Sequence, residues 1–245
     1  MIANFSTDMQ LALRPVFAPF LVFFLLVTFI HPLSAKEKHH HMLANPISSQ
    51  TTQGWNIEKQ NQNVVVMSRQ RVQGVFEIQA ITFAKAKSTA LLALLDDTDA
   101  ATEWITHAKS VDVLDWFGHS ERTVKTVFNA PWPFSDRDMI TRSIAEYDSN
   151  IDVLTINIEN QGDRYPTQSH LVRIQHVQGQ WRVYPTSHSN DDSMVIITYQ
   201  GSADAGGSIP EWLANHLAIS SIFTTFIQLQ KKVANPKYQK VQITD

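Results

Sequence analysis

Cysteine is absent from the 245 residues. That excludes disulfides, thiolate metal sites, a cysteine nucleophile and a lipidated cysteine anchor, and it leaves the redox compartment unspecified. Charge of one sign is scarce as well. The formal net charge is −3, so nothing calls for nucleic acid as a partner or for a strongly anionic surface. HExxH, GxSxG and glycine-rich phosphate loops are missing, and the residues call for no metal and no cofactor. No internal repeat is visible. The main apolar run, Val16 to Ile30, is broken only by Thr28; at about 15 residues it is short for a bilayer span of about 20.

What is present is apolar. Hydrophobic residues make up 43% and charged residues 18%, a balance that builds a core rather than a disordered chain. The length suits one domain with extensions. Arg14 precedes the N-terminal run, and His31-Pro32-Leu33-Ser34-Ala35 follows it, ending in small residues. Those are the length and flanks of a signal peptide over residues 1–35, with cleavage expected after Ala35. The expected location is exported, periplasmic or secreted; an uncleaved membrane anchor is the alternative. Residues 36–53 are polar and aperiodic and read as a flexible linker. His39, His40 and His41 within it point apart on an extended chain, so they read as a solvated tract rather than a metal site.

The domain is expected to begin near Gly54-Trp55 and to run to residue 235, with 236–245 as a tail. Val64 to Met67 and Val75 to Phe83 read as strands. Ser88 and Asp99 are placed to cap two short helices, the second holding Trp104 and Ile105. From Val111 onward come strand-like segments: Val111 to Phe117, Thr123 to Phe128, Met139 to Tyr147, Asp152 to Glu159, Ser169 to Tyr184 and Ser193 to Gln200. Gln178-Gly179 is read as a hairpin turn. Consecutive strands with short polar connections imply an antiparallel sheet.

A long helix closes the chain. Gly206-Gly207 ends what precedes it, Ser208 and Glu211 fit a capping box, Pro210 fits the first turn, and Asn235-Pro236 stops it. Trp212, Leu213, Ile209 and Phe223 cover one side; Ile222, Phe226, Leu229 and Val233 cover another. A helix apolar nearly all round is buried on most of its circumference. It is either a central core helix or the roof of an apolar cavity. A mostly antiparallel sheet with one long terminal helix is an α+β arrangement.

Two stretches carry a family resemblance. Val195 to Leu213, VIITYQGSADAGGSIPEWL, resembles the last strand, glycine turn and Pro-containing final helix of the START (steroidogenic acute regulatory protein-related lipid transfer) domain. Ala130 to Ile140, APWPFSDRDMI, resembles that family's proline loop, Arg-Asp pair and strand. The two occur in the family's order. The resemblance implies a helix-grip fold, a curved antiparallel sheet wrapped around the C-terminal helix, and a cavity between them for one lipid or other hydrophobic molecule. It implies transient membrane contact and no enzymatic activity; a cyclase or aromatase acting on a hydrophobic substrate is the alternative, and a sensory module a third.

Within that frame Ile222, Phe226, Leu229 and Val233 are the expected ligand-lining helix residues. Pro131, Trp132, Pro133 and Phe134 form an expected lid loop, with packing of Trp132 and Phe134 onto the long helix as the other reading. Such cavities often hold a buried charged or polar pair, and Arg142 is the candidate for it, since Ile140 and Ile144 share its face and Glu146 lies further along. Arg137 and Asp138 match the family's Arg-Asp and are expected to anchor the loop to the strand. His170, His176 and His188, and Asp191-Asp192, read as exposed or turn residues rather than metal ligands.

Overall fold

The computed structural model describes residues 54–70, 75–186 and 194–240. The signal segment, the linker with its three histidines, His188, Asp191 and Asp192 lie outside them. The described chain runs β1 (Asn56–Gln60), β2 (Val64–Gln70), β3 (Phe76–Lys85), α1 (Ala90–Asp96), a 3-10 turn at Thr98–Glu103, β4 (Ala108–Phe117), β5 (Glu121–Phe128), β6 (Arg137–Asp148), β7 (Val153–Asn160), β8 (Val172–Arg173), β9 (Gln175–Pro185), β10 (Met194–Asp204) and α2 (Glu211–Val233). One open sheet of 10 strands results, in the order β1-β2-β3-β10-β9-β7-β6-β5-β4, with the short β8 beside the start of β6. The β6–β8 pairing is parallel and the others are antiparallel.

The register assigns the faces. Val66 lies opposite Ala80, Ala80 opposite Tyr199, Tyr199 opposite Trp181, Trp181 opposite Ile156, and Ile156 opposite Ala145. Directly opposed residues share a face, so this row marks the inner face across six strands. One row further, Ser143 lies opposite Arg122. The inner-face residues Val64, Val66, Leu154, Ile156, Val183 and Ile197 form one core with Leu91 and Leu94 of α1 and with Phe226, Leu229 and Val233 of α2. A smaller cluster on the outer face holds Trp55, Val65, Met67 and Ile81.

Helix α2 has 23 residues and begins later than its sequence suggests. Gly206 and Gly207 both take positive φ, 65° and 67°. A Cβ on Gly206 would come within 2.9 Å of the Arg173 carbonyl oxygen, so glycine is required on steric grounds too. Pro210 occupies the N-cap with ψ 138° and no side-chain cap. Its extended backbone separates Ser208 from the first turn, so the expected Ser208–Glu211 capping box does not form. The helix is fastened by Lys59 Nζ donating to Ser220 Oγ (3.0 Å), Thr106 N to Thr225 Oγ1 (3.0 Å) and Gln230 Nε2 to the Phe83 carbonyl (2.7 Å). Lys232 adds an ion pair with Glu103.

Other expectations change. Residues 236–240, within the expected tail, pack onto the domain: Pro236–Lys240 forms a 3-10 turn, Tyr238 is buried, and its hydroxyl donates to Asp97 Oδ2 at 2.8 Å. Gln178-Gly179 is not a turn, because β9 runs straight through it. The second short helix is instead the 3-10 turn, with Trp104 as its C-cap.

Candidate functional site

Burial along α2 divides the helix. Phe226, Leu229 and Val233 are its buried residues, whereas Leu213, Leu217, Ala218 and Ile222 are half-exposed. At the buried end Trp181 stacks on Phe226, with centroids 5.6 Å apart and rings 9° from parallel. At the other end the facing residues are small, Gly201 and Ala203 on the sheet and Ala214 and Ala218 on the helix, and a half-open cleft of about 640 Å³ lies between them. Ligand sites commonly measure about 300–1,000 Å³ with mainly apolar walls. Val75, Phe76, Ile78, Ile209 and Ile222 line the cleft, and Asp204, Glu211 and Asn215 stand around it.

Tyr199 is one of the polar groups on the sheet side of this cleft, with His176, Ser202 and Asp204. Its ring tilts against Trp181 at 4.8 Å and lies over two glycines. A Cβ on Gly179 would meet its hydroxyl at 2.9 Å, and one on Gly201 would overlap it. Gly179, read from sequence as a turn, is therefore a strand residue whose missing side chain makes room for the phenol. Among the described residues no hydrogen bond to that hydroxyl is recorded. Burial pushes its pKa up to about 12, so it is a neutral donor at physiological pH.

The structure sorts the residues expected from sequence. Ile222 lines the cleft. Phe226, Leu229 and Val233 do not, because they fill the closed end of the core. Pro131, Trp132, Pro133 and Phe134 do not line the cleft either. Phe134 packs under the Arg137 guanidinium at 5.6 Å, and Trp132 is 92% exposed, so it does not pack onto α2. Arg137 does anchor its loop, donating to the Ser135 carbonyl at 2.6 Å. Asp138 is bound bidentately by buried Arg173, at 2.8 and 2.9 Å.

Arg142 faces outward. Its strand register puts Thr141, Ser143 and Ala145 on the inner face, and Arg142 grips Glu121 with two hydrogen bonds of 2.6 and 2.8 Å, with Glu159 at 3.8 Å. Its pKa is raised, first by the Glu121 hydrogen bonds. The misassignment has a cause: Asp138 and Ile140 on the outer face are also buried, so alternation along β6 does not reveal which side is interior.

A buried arginine of the inner face that the sequence reading passed over is Arg122, 3% exposed. Its Nη1 lies 2.7 Å from Asp96 Oδ1, at the end of α1, and the Trp116 ring is 5.6 Å away. Burial lowers the Arg122 pKa and raises that of Asp96, each partly offset by the other's charge. A sequence signal for it existed: Lys125 sets the solvent phase of β5, so Val124, Thr126 and, by extension, Arg122 point inward. Around it the inner face of β4 to β7 keeps Val111, Val113, Val124, Met139 and Ile158 only half-buried.

The START domain family model matches residues 48–237, and the chain belongs to that family. A crystal structure of a STAR-related lipid transfer protein fragment from Xanthomonas axonopodis is similar with a TM-score of 0.65 at 28% identity, covering 74% of this chain and 99% of that one. Human StAR-related lipid transfer protein 5 shares the fold, with a TM-score of 0.64 at 14% identity, covering 77% of this chain and 90% of that one. An uncharacterised protein of Pseudomonas aeruginosa is 24% identical over 147 residues, 60% of this chain and 70% of that protein.

Proposed function

We propose that the chain is a non-enzymatic carrier that takes up one lipid or other hydrophobic molecule between the inner sheet face and α2 and exchanges it at a membrane. The observation that carries this reading is the change in burial along α2, from a packed end at Phe226 to the half-covered cleft at Ala214 and Ala218. Family membership and the lipid transfer proteins of the same fold support it. An apolar ligand seated there gains roughly 25 cal/mol for each Å² removed from water. Trp132 and Trp212, 92% and 71% exposed, have the amphipathic rings that favour a membrane interface. The N-terminal run adds the proposal that exchange happens after export, which fractionation of cells expressing the full chain tests: an uncleaved cytoplasmic product counts against it.

Native mass spectrometry of protein purified without detergent tests the carrier reading. A bound apolar molecule, exchangeable with added vesicles, is the expected result. Empty protein that also takes nothing from vesicles of mixed lipid composition overturns it.

A further inference from the structure

The cleft between β10 and α2 is graded in polarity along its length. Its wall on the strand runs from Tyr199 through Gly201 and Ala203 to Asp204, and its wall on the helix from Glu211 through Ala214 and Ala218 to Ile222. At the rises of a strand and a helix, each wall covers about 16 Å. Asp204 and Glu211 therefore mark the outer end, and Tyr199 and Ile222 the inner end, which borders the packed core. At the outer end the polar groups stand in water: the His176 and Asp204 side chains are 80% and 59% exposed, and Glu211 is exposed too. At the inner end the polar group is the Tyr199 hydroxyl. Its ring leans on Trp181 and fills space left by two glycines on neighbouring strands, Gly179 and Gly201. Among the described residues its oxygen has no recorded hydrogen bond. Among the described residues that line the cleft, none is Lys or Arg. A hydroxyl at the closed end of an apolar cleft is ordinarily given a partner, and here the wall supplies none.

We propose that Tyr199 is the hydrogen-bonding residue of this cleft and that the cleft takes a neutral, largely apolar molecule whose carbonyl oxygen, of an ester or a ketone, seats on the phenol at the inner end. The assignment rests on the carrier reading above and adds the class of cargo to it. The phenol keeps its proton, because burial raises its pKa, so it donates and a carbonyl oxygen accepts. A plain hydrocarbon displaces water from the hydroxyl and leaves it unpaired. A carboxylate or phosphate also accepts from it, but its charge then lies deep in an apolar cleft with no Lys or Arg on the described walls, and such burial is costly. A neutral carbonyl avoids both penalties. The rest of the cargo follows the floor of Gly201 and Ala203 under Ala214 and Ala218 toward the mouth.

The test uses the full chain and three probes of equal chain length, methyl myristate, myristate and 1-tetradecene. They compete against Nile red at about pH 8, where myristate is ionised. Each probe is compared between the wild type and Tyr199→Phe, so that differences in the probes' own solubility cancel. Loss of the hydroxyl alone is expected to weaken methyl myristate about fivefold, the worth of one hydrogen bond, and to leave 1-tetradecene no weaker. Myristate is expected to bind the wild type less tightly than its methyl ester. Unchanged binding of methyl myristate by the variant overturns the assignment, and so does an equal loss for 1-tetradecene, which makes the ring a packing element; both leave the carrier reading standing. Tighter binding of myristate than of the ester overturns the neutral class of cargo. Failure of the wild type to bind any probe overturns the assignment alone if lipid is still taken from vesicles, and the carrier reading with it if none is. A thermal melt checks that Tyr199→Phe folds. If it does not, infrared spectra of methyl myristate, isotope-labelled at the carbonyl and bound to the wild type, carry the test: a hydrogen-bonded carbonyl absorbs at lower wavenumber than in alkane, and an unshifted band overturns the proposal.

Discussion

The two ends of α2 lie over the same sheet and yet do different things. From Phe226 onward the helix meets Trp181 and the leucines of α1, and the contact is closed. Before Ile222 it meets Gly201, Ala203 and a tyrosine folded down over glycines, and the contact is open. At the open end both partners are small, Gly201 and Ala203 on the sheet and Ala214 and Ala218 on the helix, whereas at the closed end both are large. Room in this fold is made by small residues on both the sheet and the helix face that meets it.

Substitutions can break or sharpen that contrast. The largest effect is expected at the closed end: Phe226→Ala loses about 3–5 kcal/mol in urea unfolding, while Ile222→Ala in the ligand-free protein loses about 1 kcal/mol, having less buried area to forfeit. Equal losses at the two positions would mean that the helix is packed alike throughout. Next comes the outer-face pair. Arg173→Met strands a buried Asp138 and is expected to cost about 3–5 kcal/mol by the same measurement, with no change in the ranking of ligand probes. A smaller effect is expected from filling the open end. Ala218→Leu adds apolar bulk to the cleft and is expected to raise stability by about 0.5–1 kcal/mol while weakening lipid uptake in a vesicle exchange assay; a destabilised protein that still loads normally would show the cleft to be absent in solution. Smallest is Arg142→Ala. That side chain sits on the outer face with Glu121 and Glu159, so neither the melting temperature nor probe binding is expected to move.

Much of the architecture was legible in the chain. The glycine pair, the proline after it and the apolar helix marked the last element, and the Pro-Trp-Pro-Phe loop with Arg137-Asp138 marked the start of β6. What misled was polarity on strands buried from both sides. Arg142 looked inward because Ile140 and Ile144 share its face, but Asp138 on that face is enclosed by Arg173, so burial there does not mean the interior of the sheet. Arg122 was missed because the strand was read from Thr123, one residue too late to bring it into phase with Val124. Gly179 resembled a turn because nothing local announces that a tyrosine on another strand will occupy the space above it. Pairing with neighbouring strands decides Arg142 and Gly179, beyond any short window, whereas Arg122 was within reach of the phase that Lys125 sets.

The fastenings of α2 have a kinetic consequence. Among the described residues, its side-chain hydrogen bonds and ion pair to other elements all fall at Ser220 or later, and its first turns are joined to the rest only through the Gly206-Gly207 bend and loose apolar contact. A roof hinged at one side can lift at the other without melting the domain. For the proposed carrier, unloading would then be a local fraying event of a few helical turns, and a substitution near Trp212 is expected to change the dwell time of cargo many-fold while leaving the heat tolerance of the protein untouched.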